Sequence, residues 1–406
     1  MLLSNSEAQA VQHCLDEVLK ISEKTLPSNP VILHGSRSTG LAGPLSDFDF
    51  VVTMPEVFRG PSERGQSPNS PKATKEAMKV LFSLSKAMKE TGRYQDIEII
   101  YGRVKLLKAL DIPTGLTIQF SVGLPVVPAR EFTHYYLSEF PHLRAIHIVL
   151  RHALLIRGLA TVFDRGIGSY SLLIMIVTAL KHCSHTFERD DVASQLLYVL
   201  DFWAKADTYE TGYAADPART FKKYSKGGRD SSGLSEPDKD LYLQGIEWIA
   251  RENWKRVQRT HKPEAKAAIP RYALCLQDPA NPYNDLGAKA LAIKHIQKVF
   301  EVARNRISSL VASWDSLSVE QRQSDGHYDN LLGPLVKARY SAFLEARARL
   351  KRAKPGGWQE TTQDATSARE SIVVNNAGGA IMDENSSSKG KSSSEDWLPR
   401  IRKINS

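Results

Sequence analysis

Cysteine is scarce: Cys14, Cys183 and Cys275 are the only three among 406 residues. They are odd in number and far apart, which excludes a disulfide framework and zinc-ligand spacing, so a reducing compartment is the default. No apolar run approaches the roughly 20 residues needed to cross a bilayer, and no membrane span is expected. The start, "MLLSNSEAQAVQHCLDEV", lacks a basic n-region and soon turns acidic, so it does not read as a secretory leader. An acidic surplus is lacking as well: the net charge is +9 and the pI near 9.2. From Pro355 onward six Lys/Arg face seven Asp/Glu, so the positive surplus belongs to the body before it. Such a body suits polyanionic partners, although many basic proteins have none. What is present, 42% apolar and 24% charged residues, is ordinary for a globular chain long enough for two domains.

Periodicity divides the chain. Residues 6–24 read as an amphipathic helix with Ala10, Val11, Cys14, Leu15, Val18 and Leu19 on one face. Strand signals follow at "VILHG" and "FDFVV", then a loop by composition at 59–72, a helix at "KATKEAMKVLFSLSKAMKETG", and strand-like runs at "DIEIIYGRV" and "LTIQFSV". The first 130 residues therefore read as a small sheet domain with helices. From Glu131 the period is helical: "HLRAIHIVLRHALLIRG" is amphipathic, and "YSLLIMIVTALKHC" is nearly all apolar and so expected to be buried. A polar interval at 224–240 precedes helical patterns at "LYLQGIEWIARENW" and "ALAIKHIQKVFEVARNRI". A basic helix, "LVKARYSAFLEARARLKRAK", closes the folded part, and the Gly/Ser/acid-rich tail 355–406 reads as disordered. The reading is an α+β chain: a domain over 1–130, a mainly helical domain over 131–310, a basic helical extension over 311–354, and the tail.

The stretch "VILHGSRSTGLAGPLSDFDFVV" (31–52) carries the chemistry. Residues i and i+2 of a strand share a face, so Asp47 and Asp49 would stand side by side while Phe48 and Phe50 face the core. Two close carboxylates repel and raise one another's pKa, and a divalent cation removes the conflict. Hard oxygen ligands suit Mg²⁺ or Mn²⁺ that also holds a phosphate chain. Upstream, Gly35 and Ser36 would let backbone amides approach phosphate oxygens. Asp-x-Asp alone is more often a strand start with solvated aspartates; the Gly-Ser turn at this distance favours the metal–phosphate reading.

This stretch resembles the signature of the DNA polymerase β-type nucleotidyltransferase superfamily. "HLRAIHIVLRHALLIRGL", "GIGSYSLLIMIV" and above all "LCLQDPANPYNDLGAKALAIKHIQKVFEVAR" (274–304) resemble the noncanonical poly(A) polymerases and terminal uridylyltransferases. The resemblance spans roughly 1–310. It implies a polymerase β-like palm on a mixed sheet and a helical PAP-associated domain, with the nucleotide between them. It also implies attack of an RNA 3′-hydroxyl on the α-phosphate of a nucleoside triphosphate, ATP or UTP, assisted by Mg²⁺ or Mn²⁺ at Asp47 and Asp49. Gly35, Ser36, Arg151 and Ser169 would meet phosphates, Tyr170 would stack on the base, and Asn281, Asn284 and Asp285 would read its edge. Asn and Asp also build turns, so "NPYNDLG" could be only a turn, and Tyr170 could be a core aromatic. The resemblance implies a base-selecting His here in uracil-preferring members, and none lies within 279–291, which tilts the expectation toward adenine.

Two departures stand out. The family's third carboxylate, on a neighbouring strand, aligns with Gln119 in "GLTIQFSVG", and Gln is no base; losing a general base typically costs about 10²- to 10⁴-fold in rate. Asp96 or Glu98, on one strand face in "QDIEII", could replace it, though exposed strand carboxylates are the commoner explanation; Asp111 is expected in a turn. A second phosphate-contacting lysine position aligns with Leu155, and Arg157 could contribute in its place. His34, His147 and His152 lack ligand-spaced partners and read as structural. Lys337, Arg339, Arg347, Arg349, Lys351 and Arg352 read as a solvated face, or else as an RNA-tracking stripe.

The sequence thus supports an RNA 3′-end nucleotidyltransferase adding AMP or UMP, working in the cytoplasm or nucleus. A catalytically dead relative that still binds nucleotide or RNA, as scaffold or regulatory subunit, is the alternative that Gln119 and Leu155 motivate. A transferase for a small molecule or protein is a lesser third. No zinc knuckle or RNA-binding module is visible, so target choice would fall to an RNA-binding adaptor protein.

Overall fold

The computed structural model describes residues 3–54, 71–102, 105–123, 127–161, 165–183, 187, 191–226, 241–259, 270–316, 318, 332–336 and 340–353. The chain divides into two units, Met1–Gly357 and Trp358–Ser406, and all described residues belong to the first. Most of the expected loops at 59–72 and 224–240, with Lys337, Arg339 and the tail, lie outside them.

Helix α1 (Asn5–Thr25) starts at a capping box: Ser4 N–H donates to Glu7 (2.7 Å), and Glu7 N–H donates to Ser4 Oγ (3.4 Å). Strands β1 (Val31–His34) and β2 (Phe48–Thr53) flank α2 (Gly35–Ser38), a single helical turn. After α3 (Pro71–Glu90) come β3 (Tyr94–Tyr101), β4 (Lys105–Asp111) and β5 (Thr117–Gly123). The sheet order is β1-β2-β5-β4-β3, with β2 and β5 parallel and every other pair antiparallel. Strand β4 is an addition to the reading from sequence. Alternation at the start of β2 buries Phe48 and Phe50 on one face, where Phe50 stacks between Phe48 and Phe120 in a core shared with Leu81, Leu84 and Met88 of α3 and Cys14 and Val18 of α1.

A second core gathers around α6 (Ser169–Lys181), whose residues 172–180 are all buried. Helices α4 (Val127–Glu139), α5 (Leu143–Leu155), α7 (Val192–Lys205) and α9 (Ile293–Asp315) contribute to it or pack on it. A hairpin of β6 (Thr211–Ala215) and β7 (Ala218–Lys222) was not anticipated. It is followed by α8 (Leu241–Arg259) and by a short hairpin of β8 (Gln277–Asp278) and β9 (Asn281–Asp285). So "NPYND" is a strand, and the turn comes after it.

After α10 (Gly333–Val336), α11 (Ser341–Arg352) returns to the sheet and packs on α1, burying Leu350 in the core beneath the sheet. Arg347 pairs with buried Glu7 (2.6 Å) and holds its carboxyl down at about 2; Arg349 Nε donates to the Ile112 carbonyl (3.1 Å). Two members of the expected basic stripe therefore fasten the helix to the palm.

Candidate active site

Asp47 immediately precedes β2, and Asp49 lies one residue inside it, between the inward Phe48 and Phe50. Arg37 sets this approach: its Nε donates to the carbonyls of Ser46 (3.0 Å) and Asp47 (3.2 Å), and its guanidinium lies 4.2 Å from the Phe48 ring centre. Sequence reading missed it. Gly35 is required twice over: its φ is +68°, and a Cβ there would stand 2.4 Å from Asp49 Oδ2. The turn thus fits against the carboxylate itself.

Burial, and then the charge of Asp47, push the Asp49 carboxyl up to about 6. Burial also raises Asp47, opposed by hydrogen bonds from Thr117 and Gln119. Burial brings the Arg37 guanidinium down to about 10. Two neighbouring carboxylates that resist ionisation are a donor set that one hard divalent cation would relieve. Among the described residues no group of three or more His, Cys, Asp or Glu is arranged to hold a metal.

The third place is occupied otherwise. Gln119 on β5 is in register with Asp49, and its Nε2 donates to Asp47 Oδ2 (3.0 Å). Asp96 and Glu98 cannot compensate. They lie on β3, three strand spacings from β2 or about 14 Å; Asp96 falls at a bulge with φ of 52°, and Glu98 faces Lys108. Asp111 ends β4, buried against Arg93 (2.6 Å) and Thr114. Among the described residues the donor set is thus the two carboxylates of Asp47 and Asp49.

Arg151 on α5 donates to the backbone carbonyls of Ala160 and Ile167 (3.1 Å to the latter), while its charge still acts on Asp47. Leu155, a turn later, is exposed, and Arg157 donates to the Ala153 and Leu335 carbonyls (2.7 Å each). Ser169 Oγ lies 3.3 Å from Nε2 of buried His147, which also contacts the Ser169 carbonyl (3.1 Å). His152 stacks on Tyr340. These histidines pack and position.

Tyr170 donates its hydroxyl to Asp278 Oδ1 (2.9 Å), and Asn284 Nδ2 donates to Asp278 Oδ2 (3.0 Å). Asp278 also accepts from Ala280 N–H (2.9 Å) and is 6% exposed. Sequence reading named the two outer members and missed this hub, although Asp278 lies in the quoted "QDPANPYND". Asn281 is exposed and accepts from Tyr283 N–H (3.3 Å). Asp285 accepts from the backbone N–H groups of Leu276 (3.0 Å) and Gly287 (2.9 Å), so it holds the hairpin base.

Residues 1–126 match the family "Poly(A) RNA polymerase, mitochondrial-like, central palm domain". The fold is that of the polymerase core of TRAMP, an RNA surveillance complex, with a TM-score of 0.59 at 20% identity over 83% of this chain and 90% of that one. The Cid1 poly(U) polymerase is a further neighbour, with a TM-score of 0.53 at 15% identity over 81% and 94%. This is a polymerase β-like nucleotidyltransferase fold. In sequence the chain is similar to Poly(A) RNA polymerase protein 2 of Saccharomyces cerevisiae, 22% identical over 84% of this chain and 50% of that protein. It is also similar to the Inactive noncanonical poly(A) RNA polymerase protein Trf4-2 of Drosophila melanogaster, 24% identical over 75% and 64%. The chain spans about half the length of the first curated relatives it matches. No helix among the described residues is long and apolar enough to cross a membrane.

Proposed function

We propose that this chain is a template-independent RNA 3′-end nucleotidyltransferase of the poly(A) polymerase kind, adding AMP from ATP in preference to UMP from UTP. The observation that carries the proposal is the pair Asp47 and Asp49 at the start of the interior strand β2, with Gly35 fitted against Asp49. In the reaction an RNA 3′-hydroxyl attacks the α-phosphate, a new phosphodiester forms, and pyrophosphate leaves. Asp47 and Asp49 would hold Mg²⁺ or Mn²⁺, which supplies charge neutralisation on the phosphates. Gly35 and Ser36 bring backbone amides to the phosphate chain, with Ser169 beside it and Arg151 adding positive field. Tyr170 stacks on the base, while Asn284, set by Asp278, and the exposed Asn281 meet its edge. Asp285 supports that edge from behind.

The proposed organisation is a palm over 1–130, a nucleotide-recognition domain over 131–310, a helical extension over 311–354, and a tail. An adaptor protein would choose the RNA, in cytoplasm or nucleus. The test is extension of a labelled oligo(A) RNA with Mn²⁺ and each triphosphate in turn. Tailing with ATP that vanishes in Asp49→Ala is expected; no tailing with any triphosphate would overturn the proposal.

The hydrogen bond from Gln119 to Asp47 favours a second reading, a binder of nucleotide or RNA without transfer activity. Magnesium-dependent nucleotide binding without tailing would select it.

A further inference from the structure

Gln119 belongs to a row of side chains that crosses the whole palm sheet. Strand register pairs His34 with Asp49, Asp49 with Gln119, Gln119 with Lys108, and Lys108 with Glu98. Laterally paired residues project from one face, with Cβ atoms about 4.5–5.5 Å apart. Imidazole, carboxylate, amide, ammonium and carboxylate thus stand in sequence, and Lys108 flanks the third place on the side away from Asp49.

Two contacts define what that place offers. Gln119 turns its amide nitrogen to Asp47 Oδ2 at 3.0 Å, presenting N–H rather than a lone pair to that carboxylate. The Lys108 ammonium is 4.0 Å from Glu98 Oε1, at the outer limit for an ion pair, and its side chain is 45% exposed. A four-carbon stem on β4 reaches the space above Gln119 as readily as Glu98. A cation entering between Asp47 and Gln119 would meet a hydrogen-bond donor, with the Lys108 ammonium within reach on the other side.

We propose that Lys108 and Gln119 together make the third place a cation-excluding position, so that the site takes a single divalent ion at Asp47 and Asp49 and Lys108 stands as the second positive charge. The inference rests on the nucleotide-site reading above. Lys108 is here a positioning residue that sets how many ions the site admits. It follows that restoring the acid alone does not restore a second ion, because a carboxylate at 119 pairs with its lysine neighbour.

The test counts bound Mn²⁺ by electron paramagnetic resonance on the full chain, with a non-hydrolysable ATP analogue at one per chain and the analogue alone as control. The wild type should bind one ion, Gln119→Asp should still bind one, and Gln119→Asp with Lys108→Ala should bind two. Gln119→Glu with Lys108→Gln repeats the last step with a different shape, and circular dichroism checks folding of each. Two ions in the wild type or in Gln119→Asp, or only one in both folded double variants, would overturn the inference while leaving the nucleotide site standing. No ion in the wild type would overturn both.

Discussion

The palm strands and the β8–β9 hairpin treat their carboxylates in opposite ways. On the hairpin, Asp278 takes donors from Tyr170, Asn284 and Ala280, and Asp285 takes two backbone N–H groups. On the palm, Asp47 has an amide donor in Gln119, and Asp49 shows no donor among the described residues. The two hairpin aspartates are satisfied by their own neighbours. The charge of Arg37 offsets the burden on the palm pair only in part, and such perturbed groups cluster at functional sites. The lesson is that two carboxylate clusters within one chain can differ in how far their own neighbours satisfy them.

That contrast can be broken or sharpened by mutation. The largest effect is expected from Asp49→Ala, which should lower magnesium-dependent ATP binding and any tailing by at least about 100-fold, measured by calorimetry and primer extension. Tyr170→Ala should weaken ATP binding by about 10- to 100-fold, the worth of one stacked base; Tyr170→Phe keeps the ring and should mainly lower the melting temperature, since it removes a donor from buried Asp278. Arg151→Gln should cost about 1.5–3 kcal/mol in a denaturant titration, because charged donors to two carbonyls are lost, and should weaken ATP binding less than tenfold. A large binding loss without destabilisation would assign Arg151 to the phosphates alone.

The smallest effect concerns pH. Asp49 holds its proton more tightly in the folded protein, at about 6, than an unfolded aspartate near 3.9. The group therefore favours folding below about pH 4, and that contribution is lost as pH rises through 6. Asp49→Asn should stabilise the protein by up to about 2 kcal/mol at pH 7.5 and by little at pH 4, read as melting temperature across the range. A flat difference would show that neither burial nor the Asp47 charge raises the Asp49 carboxyl.

Much of this was legible in the sequence because it rests on local period. The Phe-Asp-Phe alternation of β2, the apolar run of α6 and the apolar face of α1 each declare themselves within a few residues. Strand β4 did not, since "KLLKALD" has too little alternation to part it from a helix. The β6–β7 hairpin was hidden because Gly212 and Pro217 weaken "TGYAADPARTFK" as a strand pattern. The roles of Arg37, Asp278 and Lys108 were out of reach for another reason. Each depends on pairing with a distant or register-set partner, and register across a sheet is not written in any one strand. The same gap made Asp96 and Glu98 look like neighbours of the site, although β5 and β4 stand between them and β2.

The most direct measurement is an ATP titration of the wild type and Asp49→Ala, with Mg²⁺ and again with EDTA. Binding that needs both the metal and Asp49 is the predicted result. Equal affinity in all arms, or no heat in any, would contradict the claim that these two carboxylates carry a cation and its nucleotide.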